Sequence, residues 1–381
     1  HDLKNEILLQ YILLLASQPE LWCMMTLYAS LLPEDKILSV YPQMLSRVDV
    51  DSEREEVLIQ MKHLLKPGLE VEILRTTVDI VLNDTTIAAA QKMNALHWFC
   101  ILKEHSVYAL IYGNKLMRSL LLSDNLVDTA MVMGMLGTRI KESTEGRITR
   151  AHAELHAVGA LLKANEAFEA WKGIMNENVP EITLTPMDNG LMSSEAAGVV
   201  QSLQRSEAAE QLREKSSQVV EVAGYAQAQL FEVLTMDGGF LLEDAEDDET
   251  DDADDARRRE LFMLRSKYIP QIVLMLHNVC DETATWMETM LESCIPVIAN
   301  TELEVIRSLH EIDDTSSLPV SPTFWIRQAK ELVCTVAAEE YRVHDAMSTE
   351  EFRLFMESIR KTAIRDLYAE AAKCSTSSST D

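Results

Sequence analysis

Residues 52–68 read SEREEVLIQMKHLLKPG, and the fold class turns on this stretch. Val57, Met61, Leu64 and Leu65 recur at i, i+4, i+7 and i+8, the spacing that sets side chains on one face of an α-helix. Pro67-Gly68 then closes the segment. The pattern repeats on both sides of it. Short helices are predicted over Glu6–Ser17, Glu20–Leu31, Glu34–Ser46, Ser52–Leu65, Glu70–Leu82 and Thr85–Leu102, separated at Pro19, Pro33, Pro67-Gly68 and Asn83-Asp84. None is long enough to bury its apolar stripe alone, so they must stack. No strict repeat motif runs through them, which excludes a tetratricopeptide or ankyrin array.

The remainder of the chain extends the pattern. Helices are expected at Val107–Ser123, Leu126–Leu136 and Arg147–Asn176, the last broken near Ala164-Asn165. A polar loop follows at Glu177–Gly190, then a long helix from Ser194 to about Thr235 that stops at Asp237-Gly238-Gly239. Ten of the thirteen residues from Glu243 to Asp255 are acidic, which reads as a solvated loop. Beyond it come Arg257–Cys280, kinked or broken at Pro270, then Thr283–Glu292 and Glu302–Glu311. A Ser/Thr/Pro-rich linker (Asp313–Pro322) precedes two closing helices, Thr323–Glu340 and Glu350–Ala372. A capping box, Ser348-x-x-Glu351, starts the second. The expected architecture is all-α: antiparallel helices stacked as an α-solenoid over residues 1–176, then a compact helical module over 177–381. That module holds the acidic loop 243–255 and a disordered tail 375–381.

Composition agrees. Glycine (12) and proline (10) are scarce in 381 residues, against the turn residues that a β-rich fold needs. The net charge of −28 opposes phosphate backbones, and the one basic cluster, Arg257-Arg258-Arg259, abuts the acidic run, so direct nucleic-acid binding is not expected. Six cysteines without CxxC spacing read as reduced core thiols of a cytosolic or nuclear protein. The apolar run Ile7–Ala16 falls short of the ~20 residues that cross a bilayer, so no membrane insertion is expected. A chain opening on His1 reads as a portion of a longer protein.

Few residues suggest chemistry. His152 and His156 stand at i, i+4 with Glu154 between them. A zinc protease needs glutamate directly after the first histidine, so the order His-Ala-Glu-Leu-His fails that motif. Asp247-Asp248-Glu249-Thr250-Asp251 matches the magnesium-diphosphate motif of helical isoprenoid enzymes. It lies inside a longer acidic run that generates such matches by composition, and no second motif faces it. No Gly-rich phosphate loop, nucleophile elbow or dinucleotide fingerprint occurs, so neither catalytic residues nor a cofactor are expected. Phe324-Trp325-Ile326 opens a helix with Ala329, Leu332, Val333 and Val336 on one side. That side either docks on its own domain or meets a partner.

Several segments, in order, resemble the nuclear pore protein 84/107 family. They are Trp98, then Tyr112-Gly113-Asn114-x-x-Met117-Arg118-x-x-Leu121; Asn165 to Trp171 with Phe168; Leu234-Thr235-Met236-Asp237-Gly238-Gly239-Phe240; Leu264-Arg265-x-x-x-x-Pro270 and Leu274-x-Leu276-His277; and Met347-Ser348-Thr349-Glu350-Glu351-Phe352. Phe240 stands where the family usually has tryptophan, and the residues after Ala371 depart from its closing segment. The resemblance implies a non-enzymatic scaffold subunit of the Y-shaped nuclear pore subcomplex at the nuclear envelope, supporting transport of protein and messenger RNA. It implies docking of the carboxyl-terminal module to nucleoporin 133, and contact with a nucleoporin 96/145C-type subunit through an amino-terminal half largely missing here. The docking face expected from it comprises Trp325, Ala329, Leu332, Val333 and Val336, with Tyr341 and Phe355 as secondary members. Two alternatives stay open: a helical-repeat subunit of a vesicle coat or proteasome-lid-like assembly, and the magnesium-dependent isoprenoid enzyme.

Overall fold

The computed structural model describes residues 2–18, 21–48, 50–101, 106–140, 150–176, 194–237, 239–242, 252–294 and 322–377. Among them every regular element is helical. The chain forms two compact units, residues 1–156 and 157–381.

The first unit contains α1 (Asp2–Ala16), α2 (Trp22–Ala29), α3 (Glu34–Leu45), α4 (Asp51–Leu64), α5 (Leu69–Asn83), α6 (Ala89–Cys100), α7 (Ser106–Leu122), α8 (Leu126–Ile140) and the start of α9 (Arg150–Asn176). These bounds follow the sequence pattern closely. Packing runs between neighbours and next-but-one neighbours: α1 on α2 and α3, α2 on α4, α3 on α5, α5 on α6 and α7, α6 on α7 and α8, α7 on α8. This is the stacking of a solenoid, in which each helix is covered from two sides. In α4, Val57, Met61 and the flanking Leu65 are buried as expected, whereas Leu64 is exposed.

Punctuation residues act as their chemistry requires. Gly68 has φ +92°, a left-handed conformation that lets the chain reverse between α4 and α5. Asp84 accepts hydrogen bonds from the Thr86 amide and hydroxyl, 2.8 and 2.7 Å, and so builds the turn after α5.

The second unit holds the rest of α9, then α10 (Ser194–Thr235), α11 (Asp252–Cys294), α12 (Pro322–Ala337), a 3-10 turn (His344–Ala346) and α13 (Thr349–Ser377). α11 is its centre and packs on α10, α12 and α13. The core is largely aliphatic: Val219, Ala223, Ala226, Leu230 and Val233 of α10 and Leu261, Leu264, Ile272 and Leu276 of α11 are buried, and the two helices pack on one another.

Several expectations are corrected. α9 continues through Ala164-Asn165, with Ala164 buried against its neighbours and Asn165 half-buried. α11 continues through Pro270 and absorbs the segment expected at Thr283–Glu292. Proline removes one amide donor, but apolar residues on both sides of it (Ile269, Ile272, Val273) are buried, and that burial keeps the two halves in one helix. Residues 252–255 of the acidic run belong to α11, and Ser375–Ser377 of the expected tail belong to α13. Cys100 and Cys280 are buried free thiols as expected, while Cys334 is exposed. The polar loop at Glu177–Gly190, the rest of the acidic run and the helix at Glu302–Glu311 lie outside the described residues.

One close approach sets the spacing of α7 and α8. A Cβ on Gly113 collides with the methyl groups of Leu136, itself buried to 1% exposure. We therefore expect Gly113→Ala to cost about 1–3 kcal/mol through overpacking, read as a lower guanidinium midpoint with unchanged slope.

Candidate functional site

The residues that carry the resemblance are joints between helices. Asn114 donates from Nδ2 to the Ala151 carbonyl at 2.8 Å, and Arg118 pairs with Glu154 at 2.5 Å, both side chains buried. The i, i+4 spacing of Asn114 and Arg118 puts both on one face of α7, where they fasten the start of α9. Glu154, the acid between His152 and His156, is buried in this ion pair. Among the described residues no group of three or more His, Cys, Asp or Glu could hold a metal ion. The Asp-rich pentapeptide 247–251 lies outside the described residues.

Trp171 of α9 donates its indole N–H to Thr283 Oγ1 of α11 at 3.1 Å, with Phe168 tilted against it at 5.3 Å between ring centroids. Arg265 of α11 ties two turns together. Nη1 donates to the Phe240 carbonyl at 2.5 Å, and Nη2 to the Tyr341 and Arg342 carbonyls at 2.6 and 2.8 Å. Both turns are strained: Leu241 and Arg342 have φ of +50° and +48°, beside Gly239 at +74°. Burial lowers the Arg265 pKa to about 10, so the guanidinium stays charged at neutral pH.

A fourth joint binds the last helix. Thr362 of α13 donates to Asp281 Oδ1 at 2.6 Å and lies 3.2 Å from His277 Nε2. Arg365 pairs with Asp281 at 2.9 Å. His277 Nδ1 is buried without a hydrogen bond, and burial lowers the pKa of the ring below its ordinary value of 6.5. The capping box forms as read: the Ser348 amide donates to Glu351 Oε2 at 2.7 Å, and the Glu351 amide to Ser348 Oγ at 3.3 Å.

The docking face read from sequence is turned inward. Trp325, Ala329, Leu332 and Val336 are at most 3% exposed, Phe355 is fully buried, and Val333 and Tyr341 are half-buried. α12 has one apolar stripe, and packing against α11 and α13 consumes it. The large apolar residues left exposed in this unit include Phe352, Leu354, Met356, Ile364, Leu367 and Tyr368 of α13, from 38% to 75% exposed, beside Tyr225 and Phe231 of α10 and Phe262 and Met263 of α11. The signal of the α13 residues in the sequence is that this helix carries apolar residues on two faces. Phe355, Ile359 and Thr362 form the buried one, and Phe352, Met356 and Leu367 lie beside it.

The described residues thus form packed helices fastened to one another by buried polar joints. A model of the family described as nuclear pore protein 84/107 matches residues 1–301. The chain belongs to that family, and is a nuclear pore scaffold component of the nuclear envelope. The match includes the helices before Trp98, where no segment of the resemblance lies, and ends before α12 and α13. A search of curated proteins finds no match.

Two outcomes follow. Arg118→Met leaves Glu154 buried without its close countercharge, so we expect a loss of about 3–5 kcal/mol in urea unfolding. For His277, the unfolded chain takes up a proton near pH 6.5 while the folded chain resists it. Its contribution is complete above that pH and is lost as pH falls through the lower folded value. The melting temperature should fall between pH 7.5 and 5, and less steeply in His277→Gln, as differential scanning fluorimetry would show.

Proposed function

We propose that the chain builds the outer ring of the pore without catalysis and without a cofactor. It is a structural subunit of the Y-shaped subcomplex that docks through its second unit to nucleoporin 133, and through residues preceding this chain to a nucleoporin 96/145C-type subunit. Transport of protein and messenger RNA depends on it through the ring it supports. The observation that carries this reading is the family match across α1 to α11, joined to a last helix whose apolar residues stand outside its own unit. The net charge of −28 argues against direct contact with nucleic acid. Among the described residues no helix is long and apolar enough to cross a membrane.

The test is co-purification with the carboxyl-terminal domain of nucleoporin 133 from the same organism. We expect a 1:1 complex, with an interface on the order of 1,600 Å². Recovery of vesicle-coat or proteasome-lid subunits in place of pore subunits would reject the assignment of partners.

A further inference from the structure

We propose that the joint between α11 and the far half of α13 is a proton-operated latch. When His277 takes up a proton from water, α13 lets go from Thr362 onward while the rest of the second unit stays folded. The proton thus decides whether the end of α13 lies on its own unit or stands in water.

Counting hydrogens fixes where that proton goes. The Thr362 hydroxyl has one hydrogen, and it points to the ion-paired carboxylate of Asp281, whose Oδ1 is 2.6 Å away and can only accept. The hydroxyl oxygen is therefore the acceptor for His277 Nε2, 3.2 Å off, and that nitrogen carries the ring hydrogen. Nδ1 is left bare, buried and without a hydrogen bond. A second proton joins it there. It makes a cation with an unanswered N–H, in a side chain only 4% exposed.

His277 and Arg365 then share one close carboxylate. Asp281, one turn along α11, attracts the imidazolium, and Arg365 of α13 repels it. Asp281 is already committed to Arg365 at 2.9 Å and to Thr362. Glu288 of α11 is 3.9 Å from Arg365 Nε, an atom itself buried without a hydrogen bond. Lys330 of α12 is taken by Asp366 of α13 at 2.6 Å, and Lys172 of α9 acts on Glu282 of α11. The 3-10 turn that packs on α11 brings His344 and Asp345, which pair at 3.0 Å. Among the described residues α10 and α12 bury no charged side chain.

The far half of α13 is the part that yields. Among the described residues α13 buries Phe355, Ile359 and Thr362, one seam at i, i+4 and i+7. The two apolar members hold the first half. From Thr362 on the ties are polar: Thr362 and Arg365 to Asp281, Arg365 to Thr285, and Asp366 to Lys330. α11 stays, because Val273, Leu276, Val279 and Cys280 on either side of His277 are buried.

Hydrogen exchange of the full chain, read as protection relative to unstructured peptides at each pH, tests the latch. The freed ring titrates near 6.5 and the held ring lower, so opening rises as pH falls below 6.5. Between pH 7.5 and 5, protection over residues 363–371 should drop about tenfold. Residues 353–359 of α13 and 272–280 of α11 should change less than about twofold, and His277→Gln should hold residues 363–371 to the same limit. No drop, a drop shared by the whole unit, or one that persists in His277→Gln overturns the proposal. Nitrogen magnetic resonance of the imidazole in the unaltered chain gives a check that needs no variant. The ring should carry its hydrogen on Nε2 at pH 7.5 and titrate below 6.5. A hydrogen on Nδ1, or titration at or above 6.5, overturns the latch.

Discussion

A helix of 8 to 17 residues, the range of α2 to α7, is marginal or unstable by itself in water. Each must therefore lean its apolar stripe on others, and each buried leucine, valine or phenylalanine contributes about 1.5–3 kcal/mol only while those neighbours remain. That dependence explains the order of packing in the first unit. A helix touches the next and the next but one, because two sides need cover. Where cover is missing apolar residues stay outside, as in α1, with Leu3, Ile7 and Leu14 more than half exposed.

Apolar stripes hold helices together but say little about how far one slides along another. The polar joints supply that register. Asn114 and Arg118 meet α9 at Ala151 and Glu154, Trp171 meets Thr283, and His277 with Asp281 meets Thr362 and Arg365. A slide of one residue would leave these groups buried and unpaired, which is costly in a low-dielectric interior. The recurring Asn, Arg, Trp and His of the family pattern are thus placed by geometry and not by reactivity.

The helices α1 to α10 were legible because their breaks are chemical and their stripes periodic. Of the kink or break expected at Pro270, the break does not occur: α11 is one helix through it, with Ile269, Ile272 and Val273 buried. The candidate face was half legible. Trp325, Ala329, Leu332 and Val336 do form one side of a helix, as their spacing requires. Spacing shows that a face is apolar but not what covers it, and here α11 and α13 cover it. A helix with one stripe has nothing left over, whereas α13 has two faces of apolar residues and one neighbour-lined side. The joints made by Arg265 were invisible, because their acceptors are backbone carbonyls that any residue type could supply.

Arg265 has one more implication. Its guanidinium grips the connection after α10 and the connection after α12 at the same time, through three carbonyls. Loss of this one side chain would therefore loosen both connections together, because three carbonyls in two separate turns share a single donor group.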